Sequence, residues 1–113
     1  MISKGEKIFV VTRRLFEGDI RRHFVGEITD VSKEAVRAEG YAFVFDESKN
    51  EFIRREKKRT RIFPLTDSGI VINIISKEVL LEEIRYGVNV KNQRVITDGK
   101  SFSMNVSEFG SQL

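Results

Sequence analysis

A chain of 113 residues with 40% apolar and 33% charged side chains holds material for one buried core, and is too apolar for a disordered segment. The absence of cysteine excludes disulfides and thiolate metal sites. A net charge of +3 and a pI near 9.3 are only mildly basic. The early apolar run Ile8–Val11 falls far short of the ~20 residues of a membrane span, and the first residues, Met1 to Glu6, lack the apolar stretch of a signal peptide. A single domain over residues 1–113, cytoplasmic and without a membrane partner, is the expectation.

The first extended segment runs from Ile8 to Phe16, and Glu17-Gly18-Asp19 reads as a tight turn. The second spans Ile20 to Val31, where Phe24, Gly26 and Ile28 alternate with Val25, Glu27 and Thr29. Gly26 inside it predicts a sharp bend or a close backbone approach. Helical spacing of Leu15, Asp19 and Arg22 competes over Thr12 to Phe24, but Gly18 at its centre and the β-branched residues before it argue for strand. After a polar turn over Asp30 to Glu34, the third segment covers Ala35 to Asp46 and ends in Tyr41-Ala-Phe-Val-Phe45. Glu47 to Asn50 is a further turn. The fourth segment, Glu51 to Phe63, is either one long bent strand or two strands joined by a basic loop.

Asp67-Ser68-Gly69 closes that unit. Ile70 to Ile75 (IVINII) is almost continuously apolar, which predicts a strand buried on both faces. Ser76 and Glu78 suit the start of a short helix over Lys77 to Tyr86, with Leu80 and Ile84 on one side and Gly87 as its stop. Val88 to Thr97 and Phe102 to Val106 then form a hairpin about Asp98-Gly99, a pair typical of a type I′ turn. The tail from Glu108 to Leu113 is expected to be loose. The fold class is therefore all-β. Five short, strongly bent strands over residues 8–75 curl into a small barrel, followed over 76–113 by a short helix and a C-terminal β-hairpin extension.

Val10 to Phe16, Glu17-Gly-Asp19, Phe24-Val-Gly-Glu-Ile28 and Ala35-Val-Arg-Ala38 follow one another in the order of the first Sm motif, with Gly26 at the glycine that bends its second strand. Over residues 8–75 the chain resembles the Sm/Lsm-like small β-barrel family, a barrel of the SH3-like type. The resemblance implies assembly into a homo-oligomeric ring by pairing of edge strands, and binding of nucleic acid. Val31 to Val36 lacks the Asp and Asn with which that family reads uridine, and Pro64 to Gly69 has no basic residue before its glycine. Contact through phosphates rather than base edges is the corresponding expectation.

No catalytic set and no cofactor site is read from the residues. His23 is the sole histidine and, without cysteine, cannot build a zinc site. It is expected at or near the surface of its strand. The carboxylate pairs Asp46/Glu47 and Glu82/Glu83 read as solvated, and no nucleotide-binding glycine loop occurs.

Charge is unevenly placed. Residues 1–63 carry 15 Lys/Arg against 11 Asp/Glu, and residues 64–113 carry 5 against 6. Phe52 to Arg61 alone holds six basic residues and one acid. RNA or single-stranded DNA is the expected partner, held at Arg54, Arg55, Lys57, Lys58 and Arg59. A second cluster, Arg13, Arg14, Arg21 and Arg22, flanks the first turn, and Tyr41 is the candidate stacking face. A solvated hairpin tip accounts for the same basic stretch, and a protein-interaction or scaffold module accounts for the same barrel.

Overall fold

The computed structural model describes residues 1–13, 21–66 and 69–106. The expected turn at Glu17–Asp19, Arg14, Asp67 and the tail from Glu108 lie outside the described residues. The fold is mainly β, with antiparallel pairing throughout.

Six strands form the first sheet: β1 (Lys7–Thr12), β2 (Arg22–Val31), β3 (Ala35–Asp46), β4 (Glu51–Arg54), β5 (Arg59–Pro64) and β6 (Ile70–Ile75). The spatial order is β4-β3-β2-β1-β6, and β5 also pairs with β3. The 12-residue β3 thus serves two partners along one edge. Ala35 to Gly40 lies against β5, and Phe43 to Asp46 lies against β4. The basic stretch is therefore two strands with a loop between them. Among the described residues no pairing joins β5 to β6, so the hydrogen-bonded sheet is open there.

Gly26 and Gly40 are register partners across β2 and β3. A Cβ on Gly40 would collide with the Val25 carbonyl oxygen and come within 2.5 Å of the Gly26 Cα. A Cβ on Gly26 would lie 2.8 Å from the Glu39 carbonyl oxygen. The close approach predicted for Gly26 is present, and it needs a second glycine that the periodicity did not single out.

Alternation along these strands separates two cores. Ile8, Val10, Phe24, Ile28, Val36, Ala38 and Ala42 form one, with Phe63 and Leu65 against it. Phe9, Val11, Val25, Tyr41, Phe43 and Phe52 belong to the other, together with Val79, Leu81, Ile84, Ile96 and Val106 from the C-terminal third. That third covers the sheet's second face, which is why all of Ile8 to Val11 is buried.

Double burial had been expected of Ile70 to Ile75 instead. That strand is an edge: Ile75 is buried, but Val71 and Ile74 are 46% and 51% exposed. An unbroken apolar run shows that a strand could be covered on both faces, but not whether a neighbour is placed to cover it.

The C-terminal third also departs from expectation. In place of a helix over Lys77 to Tyr86 there is a single 3-10 turn, Leu81–Glu83. Ser76 Oγ does accept the Glu78 amide (3.2 Å), but the Leu80 amide donates to the Asp98 carboxylate (3.2 Å) instead of back along a helix. Tyr86 and Gly87 fall in β7 (Arg85–Val88), which pairs with β8 (Arg94–Thr97), itself paired with β9 (Ser103–Asn105). The expected hairpin is thus a three-stranded meander. Its Asp98–Phe102 link is a five-residue loop rather than a two-residue turn, with Gly99 at φ +79°. Asp98 Oδ1 accepts the amides of Lys100, Ser101 and Phe102 at 2.9–3.1 Å.

Gly40→Ala should destabilise the protein by about 2 kcal/mol or more, because the added methyl meets backbone that cannot rotate away. A lowered urea midpoint with an unchanged slope is the expected reading.

Candidate nucleic-acid interface

The point where β3 exchanges β4 for β5 is also where the sheet opens a cleft. The Arg55 amide still donates to the Ala42 carbonyl (2.8 Å), whereas Arg59 is already opposite Gly40. The loop between them therefore leaves and rejoins one strand within two residues. On β5, alternation puts Arg59 and Arg61 on the same side as Phe63, and on β2 it puts Arg22 on the same side as Phe24. Phe24 and Phe63 are in ring contact, with centroids 5.3 Å apart. The resulting cleft, about 440 Å3, is lined by Arg22, Arg55, Arg59 and Arg61 over Phe24, Ala42, Val44 and Phe63.

No carboxylate lines this cleft among the described residues, and none lies within ion-pair distance of these four arginines. The Nε of Arg59 is buried without a hydrogen-bond partner. Four guanidinium groups gathered over an apolar floor repel one another, and an anion placed between them relieves that repulsion.

The structure sorts the basic residues that the sequence singled out. Arg22, Arg55 and Arg59 converge on the cleft, and Arg61 joins them. Arg61 was missed as a site residue, although its period-two relation to Arg59 and Phe63 was a usable signal.

Arg54 turns the other way. Its Nη1 donates to the carbonyls of Glu82 (2.5 Å) and Ile84 (3.3 Å), and its guanidinium lies 4.1 Å above the Tyr41 ring. Lys58 sits between Glu39 (3.5 Å) and Glu82 (3.8 Å). Lys57 is exposed in the loop, and Arg13 is exposed just beyond β1. Arg21 lies over the Phe45 ring at 5.2 Å. Arg14 lies outside the described residues. Tyr41 is not the exposed stacking face it was expected to be: it is buried in the second core beneath Arg54.

His23 likewise differs from expectation, being 3% exposed. Its ring stacks on Phe52 at 4.3 Å and meets Phe9 edge-on at 5.3 Å. Its Nδ1 is hydrogen-bonded to the Tyr86 hydroxyl, while Nε2 is buried without a partner. Burial, followed by the nearby charges of Arg21 and Arg94, lowers its pKa from 6.5 to about 4. Burial also pushes the Tyr86 hydroxyl well above its usual range, with Arg94 opposing. Asp98 moves down to about 2, held foremost by the Lys100 amide and then by those of Phe102, Leu80 and Ser101, against the upward pull of burial.

Among the described residues no group of three or more His, Cys, Asp or Glu could hold a metal ion. No helix there is long and apolar enough to cross a membrane. No family model, curated protein or solved structure matches this chain.

These shifts set the acid response. His23 is neutral when folded, so the unfolded chain binds the extra proton between pH 6.5 and 4. Stability is complete above pH 6.5 and falls by about 3 kcal/mol as pH drops to 4. His23→Phe, which keeps a ring in the stack, should flatten that window in pH-dependent urea melts. The depressed Asp98 carboxyl adds a second loss, between pH 3.8 and 2.

Proposed function

We infer that the protein is a non-enzymatic nucleic-acid-binding protein that holds RNA or single-stranded DNA mainly by its phosphates. The observation that carries this reading is the cleft of Arg22, Arg55, Arg59 and Arg61, which no acid lines among the described residues. Arginine suits phosphate because its planar fork donates two parallel hydrogen bonds. No Asp or Asn stands at the family's base-reading position between Val31 and Val36, and Tyr41 is buried, so affinity with little sequence preference is expected.

An Sm-like arrangement is part of the same reading. In its support, β5 and β6 end the sheet on opposite sides of the β1-β2-β3 centre, and among the described residues neither is paired on its outer edge. Both present apolar side chains: Ile62 is 62% exposed, and Val71 and Ile74 are about half exposed. Edges of that kind call for a partner strand. Pairing of β5 in one copy with β6 in the next is heterologous and closes into a ring when the rotation per subunit allows it. Light scattering behind size exclusion should therefore give a multiple of the monomer mass, and Ile74→Lys should return it toward the monomer.

Anisotropy titrations with labelled mixed-sequence RNA and DNA strands test the binding. Log affinity should fall linearly with log salt, with a slope of about −2 to −3 for three or four phosphates neutralised on a single strand. Arg55→Glu or Arg61→Glu should weaken binding about tenfold or more. Lys58→Ala should change it little, because Glu39 and Glu82 already balance that charge. Absence of binding to either strand at low salt removes the nucleic-acid reading and leaves the barrel as a protein-docking module.

A further inference from the structure

Four arginines gather at one place beside β3, with Lys57 exposed outside it in the β4–β5 loop. Arg54 is held by two carbonyls and the Tyr41 ring, and Lys58 by two carboxylates. Neither extends the cleft into a basic track. Arg22, Arg55, Arg59 and Arg61 instead surround a single space of about 440 Å3. That volume is in the range of sites that enclose one small ligand. Beneath the guanidinium groups lie Phe24, Ala42, Val44 and Phe63, a floor suited to a sugar or the edge of a base.

An internal phosphodiester brings one negative charge and two non-bridging oxygens. Four guanidinium forks offer many more donors than those oxygens accept. A phosphomonoester carries about −1.5 to −2 charges at neutral pH and three acceptor oxygens. It matches the focus better in both charge and hydrogen-bond capacity. Among the described residues the Arg59 Nε is buried without a hydrogen-bond partner, at the wall of this same cleft.

The geometry points to a terminal phosphomonoester as the ligand of the four-arginine cleft, either the phosphorylated end of an RNA or DNA strand or the same group on a free nucleotide. This rests on the phosphate-binding reading above and adds which phosphate is bound.

One short mixed-sequence strand, prepared with a 5′-phosphate, with a 3′-phosphate, or with hydroxyls at both ends, tests it by calorimetry at fixed salt. Adenosine monophosphate and adenosine are titrated in parallel. One phosphorylated end should bind about tenfold tighter than the hydroxyl-ended strand, an effect of the size expected for added charge-assisted hydrogen bonds. That preference should vanish in R59Q/R61Q, with R61Q alone as the milder variant and the unliganded melting temperature of each as the check on folding.

Equal affinity for phosphorylated and hydroxyl ends overturns the proposal and leaves general phosphate binding standing. A preference that survives in R59Q/R61Q overturns the assignment to this cleft. Binding of adenosine monophosphate, but not of adenosine or any strand, keeps the phosphomonoester and overturns the nucleic-acid reading. Binding of none of them overturns both.

Discussion

The glycine pair at positions 26 and 40 is the constraint from which the architecture follows. With no side chain on either residue, β2 and β3 come together where a Cβ would strike backbone on the opposite strand. Immediately past Gly40, β3 gives up β5 and takes β4 as its neighbour. A strand that held one partner for its whole length would leave no gap along that edge. The gap is what lets Arg55, on the departing chain, and Arg59, on the returning one, face the same space as Arg22 and Arg61. Tight backbone approach at Gly26 and Gly40 and the arginine-lined gap thus adjoin each other along β3.

The second organising feature is the use of both faces of β1, β2 and β3. Side chains alternate between a core beneath the arginine cleft and a core shared with the C-terminal meander. The meander is fastened by polar contacts as well as apolar ones. Lys7 donates to the Val79 carbonyl at 2.6 Å, Arg54 reaches the carbonyls of Glu82 and Ile84, and Asp98 gathers four backbone amides. Lys7, Arg54 and, through the Leu80 amide, Asp98 thereby satisfy backbone groups in a stretch, 76–84, that has little regular structure of its own to do so.

What could be read from the chain, and what could not, divides along the range of the interactions involved. β3 has the bounds that period-two alternation and polar turns indicated, and β2 ends at Val31 as they indicated. Those signals are local. The helix expected over Lys77 to Tyr86 rested on Leu80 and Ile84 sharing a face. In the fold Leu80 is 38% exposed while Val79, Leu81 and Ile84 are buried, and an aspartate 18 residues away holds the Leu80 amide. Nothing within the segment announces that competitor. The burial of His23 is similar, since its hydroxyl partner, Tyr86, lies 63 residues further on. The candidate site stands between these cases. The wealth of arginine was plain, but separating those that face the cleft from Arg54 required knowing that a loop divides β4 from β5.

The two-core arrangement has a spectroscopic consequence. The chain has no tryptophan and two tyrosines, Tyr41 and Tyr86, both packed in the core shared with the meander. Intrinsic fluorescence therefore reports on that side of the sheet alone and is blind to the layer beneath the arginines. Backbone circular dichroism senses both. Coincident melting by the two signals means that the layers unfold as one cooperative unit, whereas a fluorescence change that comes first means that the C-terminal cover lifts away from a sheet still intact.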